Sequence, residues 1–202
     1  MWLVFLAVVA RTGQPGRRAE DRLADQAALQ RIAGGDHDAL ADLYDRHARP
    51  IYSLALRILQ DQADAEDVVQ EVFSQAWRQA SRYDAARGNV AAWLLTLARS
   101  RAIDRLRAKR ARPDRPAEEV EPADIADQAV PADLQLLSAE QVARVRTALD
   151  ALPLLQRMAI ELAYYEGLTH IEIAERLEQP LGTIKTRIRL AMTKLRESLA
   201  GV

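Results

Sequence analysis

Prolines at 113, 116, 122 and 131 fall within a stretch whose charges after Arg115 are Glu118, Glu119, Glu121, Asp124, Asp127 and Asp133, with no base among them. Each proline ring removes an amide donor and clashes with the preceding turn, so neither a helix nor a central strand survives at this density. The acids repel one another and leave little apolar surface to offset ordering. The stretch therefore reads as an acidic, flexible linker over 113–137. The chain on either side must build its cores separately, in one unit over 25–112 and another over 138–200.

Both units read as helical. From Asp25 to Gln60 the apolar positions recur with helical spacing, and a turn is expected at Gly34-Gly35, where Asp36 or Asp38 accepts the unpaired amides of the next helix. Pro50 is expected to kink or restart that helix. From Asp61 to Asp84, Ala65, Val68, Val69, Val72, Phe73, Ala76 and Trp77 form one stripe. The opposite side carries Asp64, Glu66, Asp67, Gln70 and Glu71. Acids at a helix start complement its dipole, but a run continuing to Glu71 exceeds that need and forms a face suited to a basic partner.

After the loop Ala85-Ala86-Arg87-Gly88-Asn89, the segment from Gly88 to Arg110 begins with Val90, Trp93, Leu94 and Leu97 on one helical face. It ends in Arg99, Arg101, Arg105, Arg107, Lys109 and Arg110. At ~100° per residue, Arg101 and Arg105 fall close to the stripe begun by Leu94 and Leu97, so charge takes over a face that is apolar one turn earlier. The residues alone leave two readings open, a solvated helix end or a surface for nucleic acid.

In the second unit, Ser138 with Gln141, and Thr169 with Glu172, have capping-box spacing, and Gly167 suits a helix C-cap. A short helix holding Ile171, Ile173, Ala174 and Leu177 is followed by the turn Glu178-Gln179-Pro180-Leu181-Gly182. A longer helix is expected from near Thr183, with Ile184, Ile188, Ala191 and Leu195 inward. Lys185, Thr186, Arg187, Arg189 and Lys194 lie on its outer side. A capped short helix, a glycine turn and a basic second helix make a helix-turn-helix for duplex DNA.

The net charge of −1, from 28 bases and 29 acids, hides these opposed blocks. With no cysteine the chain has neither disulfides nor thiolate metal sites. His37 and His47 lack a ligand partner at helical spacing, so no metal is expected. No nucleophile with its base, no glycine-rich phosphate loop and hence no catalytic site or small-molecule substrate is indicated, and no cofactor is expected. The apolar run Met1–Ala10 is shorter than the ~20 residues a bilayer demands. Residues 1–24 read as a disordered or loosely docked leader.

Taken together, residues from about Ala28 to Leu199 resemble the extracytoplasmic-function (ECF) sigma factors of bacterial RNA polymerase, within the sigma-70 family. LADLYDRHARPIYSLALRIL, DAEDVVQEVFSQAW and AAWLLTLARSRAIDRLR resemble sigma region 2, and LPLLQRMAIELAYYEGLTHIEIAERLEQPLGTIKTRI resembles sigma region 4. The resemblance implies an all-α fold in which a region 2 helical bundle and a region 4 helix-turn-helix are joined by the acidic linker. It also implies a cytoplasmic protein that is not an enzyme. Its partners would be core RNA polymerase, promoter DNA as −35 duplex and −10 single strand, and an anti-sigma factor, membrane-bound or not.

By the same resemblance, Asp64, Glu66, Asp67, Gln70 and Glu71 would bind core polymerase. Arg87, Gly88 and Asn89 would lie on the loop that captures a flipped −10 base, and Arg99, Arg101 and Arg105 would hold the separating strand. Thr183, Lys185, Thr186, Arg187 and Arg189 would face the −35 duplex. Leu190-Ala191-Met192 departs from the family's arginine-rich continuation, leaving Leu190 and Met192 as either core residues or docking points for an anti-sigma factor. The alternative is a stand-alone helix-turn-helix regulator whose first unit is a dimerisation or sensor domain.

Overall fold

The computed structural model describes residues 17–111 and 139–200. The leader run Met1–Ala10, the linker over 113–137 and the Ser138 cap lie outside the described residues. Eight α-helices and two short 3-10 turns make up the regular structure there, and no strand occurs among the described residues. None of these helices is long and apolar enough to cross a membrane.

The first unit contains α1 (Arg17–Ala33), α2 (His37–Leu59), α3 (Gln62–Gln79) and α4 (Val90–Arg110). Helix α1 begins upstream of the domain start expected at residue 25. It follows immediately on Pro15-Gly16, and its RRAEDRLADQAALQ sequence contains only residues that a helix tolerates, with Glu20 in the first turn. Gly35, at φ 89°, makes the turn into α2, and the Asp36 carboxylate caps that helix by accepting from the amides of Asp38 and Ala39.

Pro50 does not restart α2. The helix runs unbroken from His37 to Leu59 with Pro50 buried inside it. The ring removes the amide that would reach the Arg46 carbonyl, but Ile51, Leu54 and Ala55 are fully enclosed in the same turns. Burying two such large aliphatic side chains contributes roughly 1.5–3 kcal/mol each, enough to offset one lost backbone bond.

The core joins the inner faces of all four helices. Leu29 and Ile32 come from α1, Leu43, Ile51 and Leu54 from α2, Val68 and Val72 from α3, and Val90, Leu94, Leu95 and Ala98 from α4. Trp77 and Trp93 lie at its edge, each against another ring: Trp77 stacks on His37 at 4.4 Å and Trp93 meets Tyr83 at 5.5 Å. His47 is also structural. It shares the buried Asp25 carboxylate with Arg46, at 2.8 and 2.9 Å, and so ties α1 to α2.

The second unit contains α5 (Ala139–Asp150), α6 (Leu154–Tyr164), α7 (His170–Arg176) and α8 (Leu181–Ala200). Helices α5, α6 and α7 all pack on α8. Past the end of α6, Gly167 adopts φ 66° while the Leu168 amide returns to the Leu162 carbonyl, a C-terminal wrap that satisfies an otherwise open acceptor. Thr169 and Glu172 form the expected capping box on α7. Helix α8 starts at Leu181, ahead of the expected Thr183, because the Pro180 carbonyl already accepts from the Thr183 and Ile184 amides.

Candidate functional site

Three surfaces carry the residues singled out from the sequence: the polar face of α3, the loop and basic half of α4, and the outer side of α8. The first two are not separate. Helices α3 and α4 pack against each other, and the α4 bases meet the α3 acids as a ladder of opposite direction. Lys109 pairs with Asp61 and Asp64; Arg105 reaches Asp64 at 3.3 Å, Asp67 at 2.9 Å and Glu71 at 3.2 Å; Arg101 binds the Gln75 side chain at 2.7 Å and lies 4.0 Å from Glu71. The ladder explains why charge takes over the α4 stripe after Leu97: the face that packs apolar residues near the loop packs ion pairs near the helix end.

Asp61 is both the cap of α3, accepting from the Asp64 amide, and a partner of Lys109. The amide bond and the ammonium together hold its carboxyl below the usual carboxylate range, and the carboxylates of Asp64 and Asp61 push the Lys109 ammonium above its ordinary value. Among the five expected polymerase-binding residues, Glu66 and Gln70 are exposed and turned away from this ladder, Asp67 is exposed yet shared with Arg105, and Asp64 and Glu71 face α4.

The loop between α3 and α4 is held at three points. Asp84 accepts from the Ala86 amide, the Tyr83 hydroxyl donates to the Gly88 carbonyl at 2.7 Å, and the Asn89 side-chain oxygen accepts from the Ala92 amide at 2.7 Å as the cap of α4. Gly88 adopts φ 153°, where a side chain is strained. The backbone of Arg87 closes the second 3-10 turn.

Arg99 does not point to the α3 acids. It donates to the Tyr164 and Ala163 carbonyls at 3.0 and 2.8 Å, and its guanidinium lies 4.9 Å from the Tyr164 ring centre. Burial depresses its pKa. Arg107 and Arg110 reach the Gly167 and Glu166 carbonyls, and Arg57 of α2 stacks over Tyr165 at 4.2 Å. Four cations of the first unit thus gather where the α6 carbonyls and dipole end, an arrangement that a helix C-terminus favours.

On α8 the expected inward residues Ile184, Ile188, Ala191 and Leu195 are buried. Lys185 and Arg189 are exposed. Thr186 is exposed but its hydroxyl bonds back to the Gly182 carbonyl at 2.9 Å, and Thr183 and Arg187 are half-buried. One Arg187 guanidinium nitrogen is enclosed without an acceptor. Met192 is buried and belongs to the core, whereas Leu190 is exposed. No group of metal-ligating side chains occurs among the described residues.

Sequence reasoning passed over Tyr83 and Gln75, and it counted Arg107, Lys109 and Arg110 in the basic half of α4 without giving them a site role. For Lys109 and Gln75 a signal was present: Arg101, Arg105 and Lys109 recur every four residues, as do Glu71 and Gln75 beyond Asp67, so each helix offers one charged stripe to the other.

Residues 43–112 match the family Sigma-70 region 2, and residues 143–195 match Sigma-70, region 4. The ECF RNA polymerase sigma factor SigK of Mycobacterium tuberculosis (strain H37Rv) is 43% identical over 177 residues, covering 86% of this chain and 92% of that protein. SigK of Mycobacterium ulcerans is 43% identical over 189 residues, covering 93% of this chain and 98% of its own. Among solved structures, Rhodobacter sphaeroides SigE, in a complex with the anti-sigma ChrR, is 35% identical and covers 87% of this chain and 98% of its own, with a TM-score of 0.44. Two sigma regions in order on one helical chain, with relatives matched over nearly their full length, do not favour the stand-alone regulator: the chain belongs to the ECF sigma factors, which direct RNA polymerase to specific promoters and initiate transcription.

Proposed function

We propose that this sigma factor divides its work among the three surfaces. The outward part of α3, with Glu66, Asp67 and Gln70 foremost and Asp64 and Glu71 behind them, docks on a basic surface of core polymerase. The loop Arg87-Gly88-Asn89 captures an opened −10 base, and Arg99, Arg101 and Arg105 hold the strand leaving the duplex. Thr183, Lys185, Thr186, Arg187 and Arg189 meet the −35 duplex, with Lys185 and Arg189 as its leading phosphate contacts. The chain is not an enzyme; bond formation stays in the polymerase. It works in the cytoplasm under an anti-sigma factor, for which the exposed Leu190 offers an apolar contact.

The observation that carries this reading is the contrast in how the cations are held. Those of α4 are paired with acids and carbonyls inside the chain, whereas Lys185 and Arg189 project from a rigid apolar stripe. Projecting cations suit duplex phosphates, which are always present on DNA. Paired cations suit a strand that appears only once the duplex opens and that can exchange for the internal acids. Asn89 fits the capture role because its oxygen is used in capping α4 while its amide nitrogen remains a donor for a base edge.

Run-off transcription with purified core polymerase and genomic fragments tests the whole. Transcripts that start at discrete sites only when this chain is added are expected. Their absence, with the chain bound to core polymerase, would remove the assignment of the −10 and −35 surfaces.

A further inference from the structure

The loop proposed to capture a base has a geometric requirement that its own residues do not supply. Gly88, at φ 153° and ψ 179°, occupies backbone space reserved for glycine. A Cβ placed there meets nothing within 4 Å, so glycine is present for its conformation and not for lack of room. A glycine in an open position loses more freedom on ordering than any other residue, so another group must hold it. Asp84 fixes the loop before it and Asn89 the helix after it.

Between them the Gly88 carbonyl is met by the Tyr83 hydroxyl at 2.7 Å. Tyr83 is itself held on several sides. Its amide donates to the Ala80 carbonyl, and its ring packs on Trp93 of α4. Burial, and then the negative charge of Asp25, push the phenol pKa up, so the hydroxyl stays a donor across the physiological range.

We infer that Tyr83 is the positioning residue of the −10 loop: its hydroxyl fixes the Gly88 peptide and thereby the spacing between Arg87 and Asn89 at which an unstacked base is received. The inference rests on the reading of Arg87-Gly88-Asn89 as the capture loop. Tyr83 acts through the backbone and has no contact with the base. A preset loop removes the ordering cost at the moment of capture and restricts which base edge the Asn89 amide can meet. Loss of the hydroxyl therefore affects two quantities, the rate of opening and the preference among bases.

The test uses the full chain with core polymerase on a promoter chosen by run-off transcription, prepared with each of the four bases at the captured position. Tyr83→Phe keeps the ring and removes one hydrogen bond. Opening, followed by 2-aminopurine fluorescence in the −10 segment, is expected to slow about five- to tenfold, the scale of one partly buried hydrogen bond. The preference among the four bases is expected to flatten, and a premelted template is expected to restore most of the rate. Binding to core polymerase serves as a control and should stay near the parent value, while the thermal unfolding midpoint should fall by no more than the loss of one hydrogen bond entails.

Slower opening with the base preference unchanged would leave Tyr83 as a packing residue and overturn the inference, as would a Tyr83→Phe variant indistinguishable from the parent. Asn89→Asp separates the inference from the reading beneath it, because the carboxylate still caps α4 but no longer donates. If Asn89→Asp flattens the preference and Tyr83→Phe does not, the positioning role alone falls. If Asn89→Asp leaves the preference intact, the capture loop falls, and the positioning role with it.

Discussion

The basic surfaces of α4 and α8 are built from the same residue types and held in opposite ways. On α4 the Arg99, Arg101, Arg105, Arg107, Lys109 and Arg110 side chains all end on acceptors within the chain. On α8, Lys185 and Arg189 stand out from a buried row of Ile184, Ile188 and Ala191. A cation already paired is pre-positioned but must lose its partner to gain another, so its net contribution to a new contact is the difference between two similar terms. A cation in water gives up hydration and releases counterions, and its contribution follows salt. The first arrangement favours a contact made late and reversibly, the second a contact made at first encounter.

The largest effect is expected from the double reversal Asp67→Lys with Glu71→Lys, which should abolish co-purification with core polymerase. Because both acids also bind Arg105, the reversal should lower the unfolding midpoint as well. Glu66→Lys sharpens the point: exposed and off the ladder, it should weaken core association and leave the midpoint unchanged. Retained co-purification in both variants would remove α3 as the docking face.

Next in size, Arg105→Ala should destabilise the protein by roughly 1–2 kcal/mol, the range for a partly enclosed guanidinium shared among several carboxylates. Arg189→Ala should stay within about 0.5 kcal/mol. Equal destabilisation in urea titrations would erase the contrast between the helices. Thr169→Ala should cost about 1 kcal/mol by opening the α7 cap, and the loss should appear in the second unit's unfolding.

A smaller effect is expected from Lys185→Ala, which should reduce the salt slope of −35 duplex binding by about 1. An unchanged slope would take Lys185 off the phosphates. The smallest effect is one of pH. Asp61 has a folded pKa below its ordinary 3.8, so the folded chain binds fewer protons than the unfolded one near that value. The resulting stability is present above 3.8 and is lost as pH falls through the depressed folded value. Lys109 runs the other way, its contribution present below 10.5 and lost as pH rises through its raised value. Unfolding midpoints measured from pH 5 down to pH 3 should therefore fall less in Asp61→Asn than in the parent.

Features set by neighbours along the chain were legible in the residues alone. Asp36, Thr169 with Glu172, and Gly167 work within one turn of themselves, and Ile184, Ile188 and Leu195 follow from helical period. Features set by register between helices were not. Which α3 acid meets which α4 base depends on how the two helices slide past each other, and no local rule fixes that. Pro50 misled for a related reason: its local effect is real, but the surrounding burial, a tertiary quantity, decides the helix. The Tyr83 contact with Gly88 was hidden because it spans five residues across an irregular turn. The expected roles of Arg99, Arg101 and Arg105 came from the family resemblance, which says nothing about partners inside the chain.

Arg99, Arg107 and Arg110 end on main-chain oxygens of Ala163, Tyr164, Gly167 and Glu166. Every amino acid presents the same carbonyl, so these main-chain contacts are blind to the side chains on their receiving side, whereas the contacts of Arg99 and Arg57 with the Tyr164 and Tyr165 rings and of Arg110 with the Glu166 carboxylate are not. Substitutions along the end of α6 therefore leave the main-chain part of the join in place as long as the backbone keeps its course, and remove only the ring and carboxylate contacts. Gly167 is the exception, since a Cβ there would come within 2.6 Å of Ile103. The second unit can therefore change much of its sequence while the main-chain part of its seat on the first unit is kept.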